Sequence, residues 1–300
     1  MTGRGRYLED FSIEGGWHAV FVRSMEAHAL IGSIEMGDDA PPRTRMFTAS
    51  DLDLLAPMPV QNPNPLIDQP INAPPLAHSE ACYVGQPIAV VIGETVQSAI
   101  DAAETVEVGY QTLPAVIDYR DALSPGAATA HRDTESNLIA TLRAGYGDVD
   151  EIFADAPRST TITVDQQRGA LASLECRGVL ARWDPIDSQL ALWTSSQSPH
   201  AVRAGVASYL GMSPDEMRVA TPDVGGGFGP KAAVYPEEYV LAALARHLES
   251  SVRWVERRRE HFTATLQQRG QSGRVEVAYD DHGTILGLRA RLLHDFGAYV

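Results

Sequence analysis

The sequence predicts an α+β fold in two domains, and three observations carry that prediction. Strand-like apolar runs are interleaved with amphipathic runs of helical spacing. A length of 300 residues corresponds to about two domains. A shift to small residues and proline at Ser124-Pro125-Gly126-Ala127-Ala128 marks the boundary between them.

Taken in order, Trp17 to Arg23 and Ala29 to Ile34 read as two short strands, with the polar link Ser24–His28 able to turn. Pro57 to Pro75 carries seven prolines, which exclude helix and central strand and predict an extended surface excursion. Tyr83 to Ile92 reads as a buried strand and Thr95 to Glu104 as a helix. Val106 to Tyr110 and Leu113 to Ile117 read as two more strands, giving a βαβ-like unit that the strands at 17 to 35 complete. Beyond the boundary, Gly147 to Phe153 opens a short helix, followed by strands at 160 to 166, 178 to 183 and 190 to 194. Ala201 to Leu210 has Val202, Val206 and Leu210 at helical spacing, and Ser213 precedes Pro214 as an N-cap before its N1 proline. A strand at 217 to 221, a helix from Tyr235 to His247 and a strand at 252 to 255 follow. A short helix from Glu256 and strands at 274 to 279 and from 284 complete the chain. The apolar ending Phe296 to Val300, with no polar tail, predicts a chain cut inside an element.

Between the strand at 217 to 221 and the next helix lies Gly225-Gly226-Gly227-Phe228-Gly229-Pro230-Lys231. Glycine lets a backbone take positive φ or approach a ligand with no Cβ in the way. Such a loop ahead of a helix suggests amides that face an anion or a flat cofactor. It matches neither nucleotide pattern: Pro230 stands where both a P-loop and a dinucleotide fingerprint need glycine, and Ala232 follows the lysine. On its own the cluster is equally a tight turn with close packing.

Composition removes several function classes. A formal net charge of −15 argues against a nucleic-acid backbone or an anionic membrane surface as partner. The basic run Arg253 to Arg259 is a single cluster and reads as a strand end leading into a helix. Cys82 and Cys176 form no Cys-x-x-Cys pair, so a zinc ribbon or a thiolate-held iron–sulfur cluster has no support within the chain. No metal-ligand spacing occurs among the nine histidines. Neither a signal-peptide core nor an apolar run long enough for a membrane span is visible, so cytoplasm is the expected compartment.

Several segments taken together resemble the molybdenum-binding large subunit of the xanthine dehydrogenase, aldehyde oxidase and aerobic carbon monoxide dehydrogenase family. These are Gly5–Asp10 with His18–Ser24, Tyr83–Val91, Ala102–Glu104 with Val106–Val108 and Leu113–Val116. Leu174-Glu175-Cys176-Arg177-Gly178, Ser196-Gln197-Ser198-Pro199-His200 and the glycine loop then follow in the family's order. The resemblance implies an a/b hammerhead domain over residues 1–124. It implies the first part of a mixed α/β molybdenum-cofactor-binding domain over 125–300.

It further implies that Gly225, Gly226, Gly227, Phe228 and Gly229 lie against the pterin of a molybdenum–molybdopterin cofactor, in its cytosine dinucleotide form. Gln197 matches the glutamine whose amide hydrogen-bonds an oxo ligand of the metal, which suits a donor that carries no charge. Gln197 and Phe228 are therefore the catalytic-site candidates, and no side chain of this stretch is expected to ligate the metal. The general-base glutamate of the family lies beyond Val300, and the family's large subunit is much longer than this chain.

The implied reaction is oxidation of a small substrate with water-derived oxygen. Its electrons would pass to an iron–sulfur small subunit and an FAD-binding medium subunit. Cys176 departs from a family proline, and Glu175 with Arg177 reads most simply as a structural ion pair. Ala232 replaces the purine-contacting glutamate, which disfavours xanthine; Ala233 to Glu238 resembles the carbon monoxide dehydrogenase branch. The alternatives are an aldehyde or N-heterocycle hydroxylase, or a non-catalytic truncated or split assembly subunit.

Overall fold

In a computed structural model of the chain, the described residues are 3–60, Ile67 and 71–299. The first elements are β1 (Trp17–Arg23), β2 (Ala29–Met36), β3 (Arg45–Thr48), β4 (Glu80–Ala81), β5 (Pro87–Gly93), α1 (Val96–Glu104) and β6 (Val106–Thr112). After a long irregular stretch come α2 (Val149–Asp155), β7 (Arg158–Gly169), β8 (Gly178–Asp184), β9 (Gln189–Thr194) and α3 (Pro199–Tyr209). The last are β10 (Met217–Ala220), α4 (Pro236–Leu248), β11 (Ser251–Val255), α5 (Arg258–Ala264), β12 (Gln268–Tyr279) and β13 (Ile285–His294). The mixed helix and strand content is that of the α+β class.

Two compact units result, and neither is continuous in sequence. The first takes Met1–Pro63, Ile71–Ala115 and Leu171–Leu266; the second takes Asn64–Pro70, Val116–Ala170 and Gln267–Val300. Residues 124 to 128 therefore lie within the second unit. The middle of the expected proline-rich excursion, residues 61–66 and 68–70, lies outside the described residues. Val300, the end of the apolar tail, also lies outside them.

The first unit is built on a seven-stranded sheet in the order β10-β9-β8-β11-β1-β5-β3, with a three-stranded sheet β4-β2-β6 beside it. Strands from the beginning of the chain thus share one sheet with strands from beyond residue 177. Every residue of β5 is buried, as its unbroken Pro-Ile-Ala-Val-Val-Ile-Gly run requires. α4 is buried continuously from Glu237 to Ala245, the signature of a helix with core on all sides. It packs on β8, β9 and β11, while α3 lies against β10 and α4. α1 begins at the N-cap Thr95, whose hydroxyl accepts from the Ser98 amide at 3.1 Å. Ser213 caps the short turn Pro214–Glu216 as its sequence predicts.

Three expectations are corrected. Tyr83 to Gln86 is a turn rather than the start of β5. Gly85 takes φ 102°, and the Gln86 side chain folds back to accept from the Cys82 amide at 2.7 Å. Leu113 to Ile117 forms no strand, because Pro114 has no N–H for a ladder; the Leu113 amide instead donates to His28 O at 2.9 Å. Finally, β5-α1-β6 is not a βαβ unit. β5 pairs with β1 and β3 in the large sheet, whereas β6 pairs with β2 in the small one. β1 and β2 likewise part company, each carrying its own partner.

The second unit contains the antiparallel sheet β13-β12-β7. α2 packs against β13.

Candidate functional site

β9, α3 and β10 form the one parallel crossover of the large sheet's edge, with Leu190 to Trp193 in register with Met217 to Ala220. In open sheets of this kind ligand-binding loops gather outside the carboxyl ends of the parallel strands. Two loops leave at that end: Ser195–Ser198 from β9, and Thr221–Gly229 from β10. The structure brings all the predicted site residues into this one place.

The Gln197 amide N–H donates to Lys231 O at 2.8 Å, and the Ser196 hydroxyl donates to the same carbonyl at 3.2 Å. Gln197 Oε1 accepts from the Gly229 amide at 3.0 Å. That bond assigns the carboxamide oxygen to the loop, and the NH₂ group has no acceptor among the described residues. The amides of Gly226, Gly227 and Phe228 likewise have no acceptor among the described residues. Phe228 takes φ 55° and is 65% exposed. The loop therefore offers a run of free N–H donors beside an open aromatic face.

Space favours glycine at Gly225, where Glu175 Cβ and backbone close in, and backbone angle favours it at Gly226 and Gly229, while at Gly227 only the flexible Gln197 side chain is in the way. A Cβ at Gly225 would sit 2.5 Å from Glu175 Cβ, and one at Gly227 would sit 2.4 Å from Gln197 Cδ. Gly226 and Gly229 both take φ 102°.

A buried ion pair staples the loop at both ends. Lys231 Nζ lies 2.9 Å from Glu175 Oε2, and its side chain is only 1% exposed. The same carboxylate oxygen accepts from the Gly225 amide at 2.7 Å, while the Glu175 amide donates to Gly225 O at 3.1 Å. One glutamate thus holds the first glycine through its backbone and the seventh residue of the loop through its charge.

The expected Glu175–Arg177 pair does not form. Successive residues diverge: Glu175 turns to Lys231, and Arg177 turns inward to two other carboxylates. Its Nη1 lies 3.0 Å from Glu237 Oε2 and its Nη2 2.5 Å from Glu256 Oε1. The guanidinium sits 3.8 Å from the centroid of the Tyr235 ring. Glu237 also meets Arg23 Nη2 at 2.6 Å, and Glu256 meets His261 Nδ1 at 2.8 Å. Burial alone would push both carboxyls up; the Arg177 charge outweighs it and holds Glu256 down at about 2 and Glu237 below its usual value.

Glu238 behaves in the opposite way. Burial raises its carboxyl to about 7, although it accepts from the Tyr235 amide at 2.6 Å and from the Thr194 hydroxyl at 2.9 Å. An acid whose folded pKa is raised from 4.5 to about 7 holds its proton more tightly in the folded state. Stability from this group is fully present below 4.5 and declines as pH rises towards 7, by about 3 kcal/mol. Glu238→Gln is expected to remove that decline, measured as denaturant midpoints between pH 4.5 and 7.

Lys231, Glu237, Glu238 and Glu256 escaped the sequence reading as structural charges. A signal was present: Tyr239 to Ala245 has no charged position, so the helix is buried all round and its first-turn carboxylates are buried with it. Such carboxylates demand cationic partners or protons. Cys176 is half-buried, and burial pushes its thiol up, away from the reactive thiolate. His200 is the second residue of α3 and is exposed. Arg253 donates to Glu9 O and Phe11 O, and Arg258 to Ser173 O and Leu174 O, so these two arginines of the basic run have structural roles. No helix among the described residues is long and apolar enough to cross a membrane.

Residues 2–114 match the aldehyde oxidase and xanthine dehydrogenase a/b hammerhead domain, and residues 130–300 match the molybdopterin cofactor-binding domain. The chain is 35% identical over 301 residues to the nicotine 6-hydroxylase large subunit of Paenarthrobacter nicotinovorans, covering 100% of this chain and 37% of that one. It is 34% identical over 316 residues to the carbon monoxide dehydrogenase large chain of Hydrogenophaga pseudoflava, covering 100% and 38%. The crystal structure of quinoline 2-oxidoreductase from Pseudomonas putida 86 superposes with a TM-score of 0.92 at 33% identity, over 99% of this chain and 38% of that one. The chain thus spans well under half the length of the curated relatives it matches. With its hammerhead and molybdopterin cofactor-binding domains both matched, the chain belongs to the xanthine dehydrogenase and aldehyde oxidase family of molybdenum-binding large subunits.

Proposed function

We propose that the chain forms part of the large subunit of a molybdenum-dependent oxidoreductase and supplies one wall of its cofactor site. The observation that carries this reading is the set of free donors around the glycine loop. The amides of Gly226, Gly227 and Phe228, and the NH₂ of Gln197, all lack acceptors among the described residues. A flat, acceptor-rich pterin suits such a wall, and the absence of a Cβ at Gly225 lets Glu175 close on the loop. Gly225 to Gly229 would hold the molybdopterin, in its cytosine dinucleotide form, with Phe228 beside it and Gln197 donating towards a metal oxo group. When bound, the cofactor supplies the redox centre at which a small substrate gains oxygen from water. The residues of this chain hold and orient it; the lysine–glutamate staple keeps the loop in shape, and no residue here serves as general base.

Residues 1–124 would act as the hammerhead domain and 125–300 as the first part of the cofactor-binding domain. Electrons would leave through an iron–sulfur small subunit and an FAD-binding medium subunit, in a cytoplasmic complex. Both the carbon monoxide dehydrogenase type and N-heterocycle hydroxylation fit the wall. Similarity favours neither: the chain is 35% identical to a nicotine 6-hydroxylase large subunit and 34% identical to a carbon monoxide dehydrogenase large chain.

Molybdenum and pterin analysis of the complex purified from its natural host tests the cofactor. The expected result is molybdenum and a pterin nucleotide in equal amounts, and a complex without either would overturn the proposal and leave a non-catalytic assembly role. A panel of N-heterocycles, aldehydes and carbon monoxide then separates the substrate readings.

A further inference from the structure

We propose that His28, Glu80 and Cys82 form a zinc-binding site at the end of the small sheet β4-β2-β6. The strand register builds the cluster. β2 and β4 pair with Ala29 opposite Ala81 and Leu30 opposite Glu80. One step beyond that ladder, His28 stands opposite Cys82. Residues directly opposite in an antiparallel pair project to the same side, as do residues two apart on one strand. His28, Cys82 and Glu80 thus share one side, and their ligand atoms all lie within 4.8 Å of one another. The place is enclosed: His28 is 5% exposed, Cys82 8% and the Glu80 side chain 13%.

The imidazole is oriented for this role by its neighbours. Nδ1 lies 2.7 Å from Pro114 O, and Nε2 lies 2.8 Å from Glu80 Oε1. A carbonyl oxygen only accepts, so Nδ1 carries a proton, and a neutral ring then turns its Nε2 lone pair towards a carboxylate oxygen. Two lone pairs so close repel, and a positive centre belongs between them, either a proton or a metal ion. A proton would join His28 and Glu80 alone; the sulfur beside them completes a three-ligand set. A backbone carbonyl holding the other ring nitrogen is the usual outer support of a ligating histidine. Cys82 is supported as well, since its amide donates to Gln86 Oε1 at 2.7 Å.

Thiolate, imidazole and carboxylate together are the donor mixture of zinc. The two negative ligands cancel the charge of the dication, so the loaded site is neutral, as burial requires. Loading expels the proton between Nε2 and Oε1 and the thiol proton. Tetrahedral zinc would set the three ligand atoms roughly 3.3–3.6 Å apart, so His28 and Glu80 open slightly, and water takes the fourth position. Cys176, Glu256 and His261 also gather their ligand atoms within 4.8 Å. There, however, Glu256 already meets Arg177 Nη2 at 2.5 Å, and a metal ion would face the guanidinium charge.

Zinc analysis and zinc-edge X-ray absorption test the site, on the complex purified from its natural host. The complex is dialysed against zinc and then against metal-free buffer. The expected result is a retained zinc with a single sulfur at about 2.3 Å. Cys82→Ala and His28→Gln should each lower zinc affinity at least about tenfold, whereas Cys176→Ala should keep it. Absence of zinc, a zinc shell without sulfur, or full affinity in Cys82→Ala would overturn the proposal. Loss of the zinc from Cys176→Ala would do the same. X-ray absorption of the unaltered protein decides the matter even where a variant fails to fold. Molybdenum is measured separately, so failure of the cofactor reading leaves this test intact.

Discussion

Arg177→Met is expected to destabilise the protein by about 3–5 kcal/mol, the usual penalty for removing one partner of a buried charge network. The guanidinium lies between Glu237 and Glu256, whose side chains are 2% and 0% exposed. Methionine would keep much of the volume against Tyr235 and Trp254 but leave two buried carboxylates short of a cation. Arg23 still reaches Glu237, and His261 still reaches Glu256, so the network is weakened rather than abolished. The pH dependence provides a second check. Glu256 and Glu237 have depressed folded pKa values, so their stabilisation is present above the ordinary 4.5 and is lost as pH falls towards 2. In the Arg177→Met protein that acid-side slope should flatten, as urea midpoints between pH 2 and 5 would show. An unchanged midpoint at neutral pH would refute the central role given to this arginine.

Gly227→Ala should separate function from stability. The added methyl would lie 2.4 Å from Gln197 Cδ, which belongs to the end of a flexible, exposed side chain. Gln197 can swing aside, so folding should change little. The Gly229 N–H to Gln197 Oε1 bond would break, and the NH₂ would lose its position. On the proposed function, displacement of such a group by about 1 Å lowers turnover by roughly a hundredfold. Gly225→Ala is the contrast, because its methyl would meet Glu175 Cβ at 2.5 Å and the Glu175 backbone at 3.3 Å. That variant should lose thermal stability as well as activity. Equal melting losses in the two variants would show that Gln197 is not free to move.

Strand and helix positions were legible because each depends on short-range pattern. β5, α3, α4 and the Ser213 cap lie where apolar spacing and capping chemistry predict them. The glycine loop and Gln197 were legible for a similar reason: each is a local motif, and their order along the chain pointed to one family. Partner choice was not legible. Whether β6 pairs with β5 or with β2 depends on register and on what each face buries, which no window of sequence contains. The same holds for Glu175 and Arg177, two residues apart yet committed to different cations and anions.

By itself, then, the sequence determined the elements, the α+β class, the glycine loop and the pairing of that loop with Gln197 in one family pattern. Only the tertiary structure decided that strands from both ends of the chain share one sheet, that Lys231 and Glu175 staple the loop, and that His28, Glu80 and Cys82 come together. The physical reason is range. Helix and turn preferences act over a few residues, whereas a buried charge selects whichever opposite charge the packed backbone brings within about 4 Å.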